Sequence, residues 1–181
     1  LLACRLAQWV GAFVFTQYWS NMSLEFIKGD LFPNVVGKHP SENRFIIHVV
    51  NNEGKWGRGF VLALSKRWRA PEGAYRRWYR EGHDAGVEFA LGEVQRVPVA
   101  PGLFVINMVA QEGIYHSRNQ TPIRYEALHK CFMKVNRMAE EHQASVHMPR
   151  IGAGLARGDW RTIQSLVEVA FADVKAVVYS L

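Results

Sequence analysis

The residues of this chain that could do chemistry gather in two glycine-rich stretches, each following a short apolar run. The first is Asn51-Asn52-Glu53-Gly54-Lys55-Trp56-Gly57-Arg58-Gly59, after Ile46 to Val50. That run is long enough for a buried strand and too short for a buried helix. Phe60 to Trp68, beyond the glycines, reads as a helix. Strand, glycine loop and helix together hold anions: loop N–H groups converge, and a helix N-terminus carries partial positive charge. Asn51 and Asn52 stand at the carboxyl end of the strand, where open α/β sheets bind ligands. On this stretch alone a second reading stays open, that Gly54, Gly57 and Gly59 only allow a tight turn. The second stretch, Pro149 to Gly158, follows an apolar run from Ala144 to Met148 and carries Gly152, Gly154 and Gly158.

The elements around these loops can be read from periodicity. Leu24 to Lys28 alternates and predicts a strand ended by Gly29-Asp30; residues 31–44, with Pro33, Gly37 and Pro40, predict a loop. Lys66 to Arg80 is basic and aromatic, and predicts two short helices with tryptophans inward and arginines in solvent. Gly82 to Gly86 reads as a loop, and Glu93–Val99 with Leu103–Ala110 as a hairpin-like pair across Pro101-Gly102. Gln111 to Pro122 is polar and irregular, a candidate mobile loop. Ile123, Ala127, Leu128, Cys131, Val135 and Met138 predict an amphipathic helix. Asp159 is a natural N-cap for a helix whose stripe is Ile163, Leu166, Val167, Ala170 and Phe171, and Ala176 to Tyr179 closes the chain as a strand. The expected fold is α/β: a three-layer α/β/α sandwich around a mixed, about six-stranded sheet.

Composition narrows the function classes. At 181 residues the chain is the size of one domain, and 49% hydrophobic with 21% charged residues describes an ordinary globule. A net charge of +6 favours an anionic partner. Cys4 and Cys131 make neither a metal-ligand spacing nor a disulfide framework, so a reducing, cytoplasmic compartment is expected, with no metal and no cofactor. There is no Ser-His-Asp elbow, HExxH, Walker loop or GxGxxG. Residues 1–21 differ in character from the rest and are interrupted by Arg5, Gln8 and Gln17, so no bilayer-spanning run survives. They read as an accessory or vector-derived lead, with a start at Met22 and the functional domain over 22–181.

Four motifs in order along the chain resemble a macrodomain, the ADP-ribose-binding module. Phe26-Ile-Lys-Gly-Asp-Leu-Phe32 is similar to the family's first strand and adenine-reading aspartate, and His48 to Gly59 to its distal-ribose loop. Met148-Pro-Arg-Ile-Gly-Ala-Gly-Leu155 matches the diphosphate loop, and Val178-Tyr-Ser-Leu181 the closing strand. The resemblance is closest to the branch holding a chromatin-remodeller macrodomain, terminal ADP-ribose protein glycohydrolase and small bacterial de-ADP-ribosylating macrodomains.

The resemblance implies a ligand site. Asp30 would accept from the adenine amino group, the Leu31 N–H would donate to a ring nitrogen, and Tyr179 would offer a flat face. Asn51 would reach ribose hydroxyls, with Asn52, Trp56, Gly57, Arg58 and Gly59 around the distal ribose. Ile151, Gly152, Ala153, Gly154 and Leu155 would hold the diphosphate by their N–H groups. His48 and His147 read as satisfied core histidines. The glycohydrolase's lysine and loop aspartate match Gln111 and Ala156 here, so a lysine mechanism is unavailable. Asn51, Gly57 and Gln111 are then the residues left to steer a water. On this reading Gly57→Val would slow release more than Asn51→Ala, which loses one polar contact.

Three functions compete. The chain releases mono-ADP-ribose esterified to Glu or Asp, or it binds ADP-ribose as a reader without chemistry, or its basic-aromatic run binds nucleic acid. The first reading implies ADP-ribose and ADP-ribosylated proteins as partners, no membrane, no specific nucleic acid, and a monomer.

Overall fold

In the computed structural model, residues 24–38, 41–114 and 121–181 are described. The N-terminal lead 1–21 and residues 115–120 of the expected loop lie outside them. The chain runs β1 (Leu24–Lys28), α1 (Phe32–Val35), β2 (Arg44–Asn51), α2 (Phe60–Ser65), α3 (Ala70–Glu81), β3 (His83–Asp84) and β4 (Val87–Glu88). It continues with β5 (Val94–Ala100), β6 (Leu103–Gln111), α4 (Tyr125–His142), β7 (Ser145–Pro149), α5 (Trp160–Ala170) and β8 (Ala176–Ser180).

Six strands form one sheet in the order β1-β8-β7-β2-β6-β5. Every neighbouring pair is parallel except β5 with β6, so five strands end at the same edge. β2 is buried on both faces, which explains its unbroken Arg-Phe-Ile-Ile-His-Val-Val-Asn run. Phe45, Ile47, Ile106, Met108, Val146, Met148 and Val178 point to one face. There they meet Leu128, Phe132 and Val135 of α4 and Ile163 and Val167 of α5. Ile46, Val50, Val105, Val109, Val177 and Tyr179 point to the other, against Val35, Val61, Leu64, Tyr75 and Trp78 from α1, α2 and α3. This is the expected three-layer sandwich with a mixed sheet. Each large side chain so enclosed contributes about 1.5–3 kcal/mol. Pro98 is tolerated because β5 is an edge strand.

Three sequence expectations need correction. Residues 31–44 hold a helical turn, α1, because Pro33 sits at a first-turn position where its missing N–H costs nothing. Gly82 to Gly86 includes β3, paired antiparallel with β4 as a two-residue hairpin. The basic-aromatic run makes one helix, α3, closed by Gly82 at φ +77°, with residues 66–69 as its lead-in. Trp78 does turn inward and donates to the Val87 carbonyl at 2.9 Å.

Candidate functional site

The parallel strands deliver five segments to one edge: Gly29–Leu31 after β1, residues 52–59 after β2, 112–114 after β6, 150–158 after β7, and Leu181 after β8. Crevices at such edges are where α/β sheets take ligands. The two glycine loops meet there, since a Cβ on Gly59 would stand 3.2 Å from the Leu155 side chain.

The glycines divide by cause. Gly54, Gly59 and Gly152 have φ of +67°, +75° and +72°, a region that side chains other than glycine's rarely adopt. Gly57 and Gly154 have ordinary φ and nothing within 4 Å of a would-be Cβ. The turn alone does not require them, and the absence of a side chain leaves the backbone there open to close approach. In the second loop the N–H groups of Gly152, Ala153, Gly154 and Leu155 donate to no acceptor among the described residues. The Ile151 N–H, by contrast, is spent on Pro149 O at 2.6 Å. Four consecutive unspent donors are available to an anion. Ile151 itself is buried in the core. Asp159 caps α5 as expected, accepting from Thr162 N at 2.9 Å and Oγ1 at 2.8 Å, which holds its carboxyl below the usual range.

The first loop is held by side chains that sequence reasoning assigned to the ligand. The Asn51 Nδ2 donates to Lys55 O at 2.6 Å, and its Oδ1 accepts from Glu53 N and Lys55 N. Tyr75 reaches the same residue from α3, donating to Asn51 O at 2.5 Å with its hydroxyl 3.0 Å from Oδ1. Asn51 therefore organises the loop, and its carboxamide is committed before any ligand arrives. Asn52 Oδ1 accepts from Gly113 N at 2.8 Å, and Asn52 N donates to Gln111 O, tying this loop to the end of β6. Trp56 is 7% exposed, its indole donating to Ser65 Oγ and its ring edge-on to His48. It packs into the core beneath the loop. Gly57, Arg58 and Gly59 remain exposed at the crevice.

Asp30 lies beyond β1 with one oxygen accepting from Phe32 N at 3.1 Å and the other 3.6 Å from Arg67. The Arg67 guanidinium in turn covers the Phe32 ring at 3.7 Å. Leu31 is buried, and its N–H donates to nothing among the described residues. Tyr179 departs from expectation: it is 4% exposed, with its hydroxyl 3.0 Å from His147 Nδ1, so its ring offers no open face here. A buried contact with His147 of β7 thus occupies the residue whose position implied an adenine platform.

Gln111 Nε2 donates to Gly113 O at 2.8 Å, which leaves its Oε1 as the group free to orient a water. Ala156 is buried, and its carbonyl accepts from Ile123 N. Sequence reasoning passed over Glu53. Its carboxylate stands 3.5 Å from where a Cβ on Gly113 would lie, a half-buried acid between the ends of β2 and β6. The signal available was its place inside the Asn-Asn-Glu-Gly motif. Both histidines are confirmed as core. His147 is satisfied by Ser145 and Tyr179. His48 binds Asn107 Oδ1 through Nε2 at 2.7 Å, while its Nδ1 is buried without a partner among the described residues. Burial pushes the Cys131 thiol up to about 12, which removes it as a nucleophile.

No family model matches the chain. A macrodomain protein from Streptomyces coelicolor is 38% identical with a TM-score of 0.73, covering 88% of this chain and 99% of that one. The Bos taurus ADP-ribose glycohydrolase OARD1 is 20% identical over 161 residues, 87% of this chain and 91% of that protein. The Mus musculus chromodomain-helicase-DNA-binding protein 1-like is 26% identical over 152 residues. Those are 80% of this chain, which spans only 16% of that relative's length. The Streptomyces chain carries the same fold at substantial identity over nearly its full length, and so this chain belongs to the macrodomain family.

Proposed function

We propose that the chain binds ADP-ribose in the crevice between its two glycine loops and hydrolyses mono-ADP-ribosyl esters on Glu or Asp. The observation that carries the reading is the pair Gly57 and Gly154, one in each loop, whose missing side chains the turns do not require. The diphosphate lies on the N–H groups of Gly152 to Leu155, with the adenine end toward Asp30 and Leu31 and the distal ribose by Gly57 to Gly59. The kinship with an ADP-ribose glycohydrolase supports hydrolysis as the family's chemistry. A water oriented by Gln111 Oε1 attacks the anomeric carbon. The side-chain carboxylate leaves with the bonding pair, and the water's proton passes to solvent. Such an ester needs no protonated leaving group, so positioning and dipoles suffice. A serine ether needs its leaving oxygen protonated, and neither Gln111 nor Ala156 can do that.

The second reading, an ADP-ribose reader without chemistry, is favoured by one feature: the buried Ala156 methyl at the position of the glycohydrolase's aspartate. In both readings the working unit is 22–181, a cytoplasmic monomer. Calorimetry with ADP-ribose and AMP, beside release assays on Glu/Asp-linked and Ser-linked substrates, separates them. Binding with ester release and no serine release supports the hydrolase. Binding with an ester lifetime equal to that in buffer supports the reader, and no binding of ADP-ribose removes both.

A further inference from the structure

Helix α3 grips the first glycine loop through a closed ring of hydrogen bonds. The Trp56 indole donates to Ser65 Oγ at 2.8 Å, and Ser65 Oγ donates to Glu72 Oε2 at 3.1 Å. The other Glu72 oxygen accepts from Arg76 Nε at 2.9 Å. Arg76 then returns to the loop, donating from Nη2 to Trp56 O at 3.2 Å and from Nη1 to Gly54 O at 3.4 Å. The ring begins at the side chain of Trp56 and ends at its own carbonyl. Two further contacts run beside it: Tyr75 holds Asn51, and the Tyr79 ring occupies the space where a Cβ on Gly54 would stand 2.3 Å away.

We infer that Arg76 and Glu72 are positioning residues that set the distal-ribose loop for its ligand. The inference rests on the ADP-ribose reading above. Gly54 and Trp56 carbonyls fixed by one planar guanidinium leave little freedom to the next residues, Gly57 to Gly59. Those glycines have no side chains to pack and cannot hold themselves. Glu72 fixes the guanidinium in its turn, so the two residues act as a unit. Arg76 is otherwise hard to explain, because a half-exposed i,i+4 pair with Glu72 adds little to stability. A loop held in its bound form before the ligand arrives saves the ordering cost on binding.

The clamp touches only the distal-ribose half of the crevice, and the test uses that asymmetry. Titrations with ADP-ribose and with AMP are run on wild type, Arg76→Ala, Arg76→Lys and Glu72→Gln. Arg76→Ala is expected to weaken ADP-ribose binding about tenfold, the loss of a charge-assisted contact, while AMP changes by less than about twofold. Arg76→Lys is expected to restore only part of it, since a point charge cannot span both carbonyls and the carboxylate. Glu72→Gln, which keeps an acceptor for Ser65, serves where Arg76→Ala folds poorly, and is expected to shift the same ratio in the same direction. Equal losses for both ligands, or an unchanged ADP-ribose affinity in folded variants, overturn the positioning role. Wild type that binds no ADP-ribose overturns the reading beneath it instead.

Discussion

Acid is expected to destabilise this protein through His48 and His147. Both are held down to about 4, His48 by burial against the pull of its Asn107 bond, His147 by burial aided by Lys175 and Arg44. The tautomer of His48 explains its resistance to a second proton. Asn107 Nδ2 donates to Pro71 O and Gln95 Oε1, so Asn107 Oδ1 faces the histidine and Nε2 must carry the hydrogen. Nδ1 is buried without a hydrogen-bond partner among the described residues, and the Val49 backbone offsets only part of the cost of burying a charge there. The folded values lie below the unfolded value of 6.5, so each histidine's contribution is full above pH 6.5. It is lost as the pH falls toward 4. At 1.36 kcal/mol per pH unit the whole loss is about 3 kcal/mol for each, of which about 2 kcal/mol falls between pH 7 and 5. Urea denaturation at pH 7, 6 and 5 is expected to show a drop of about 4 kcal/mol in wild type and about half that in His147→Gln. A wild-type stability that is flat across this range, or a slope that His147→Gln leaves unchanged, would refute the argument.

The other predictions concern the loops. Gly152→Glu puts a carboxylate on the anion-binding donors and forces a side chain at φ +72°, 2.9 Å from Ile163. It is expected to abolish ADP-ribose binding in calorimetry and to cost about 1–3 kcal/mol in thermal unfolding. Asn51→Ala removes four loop contacts rather than one. The order expected from sequence therefore reverses, and Asn51→Ala is expected to slow ester release more than Gly57→Val, measured at saturating substrate. On the proposed water mechanism, which sets Gln111 where the related enzyme keeps its lysine, borohydride added during turnover is expected to leave the intact protein mass unchanged; an adduct, on Lys55 above all, would refute it.

How far the sequence could be read follows from what kind of interaction each part uses. The sheet and long helices were legible because burial imposes periods: two on β5, between three and four on α4 and α5, and none on β2 and β6, buried on both sides. Elements too short to hold a period, α1 and the β3–β4 hairpin, were not. The site divides the same way. A ligand held by main-chain donors would leave its mark as glycine, and Gly57 and Gly154 are the loop glycines that neither φ nor packing requires. Polar and aromatic residues beside the glycines look equally ligand-like in sequence, yet their partners come from elsewhere in the chain. Asn51 answers to Tyr75, Trp56 to Ser65 and through it to Glu72 and Arg76, and Tyr179 to His147. None of those pairings has a local spacing that could announce it. On the proposed reading, Gly57 and Gly154 would meet the ligand, while the neighbouring Asn, Trp and Tyr residues keep the loops still. A mutational survey confined to the second group would find large effects and misread them as recognition.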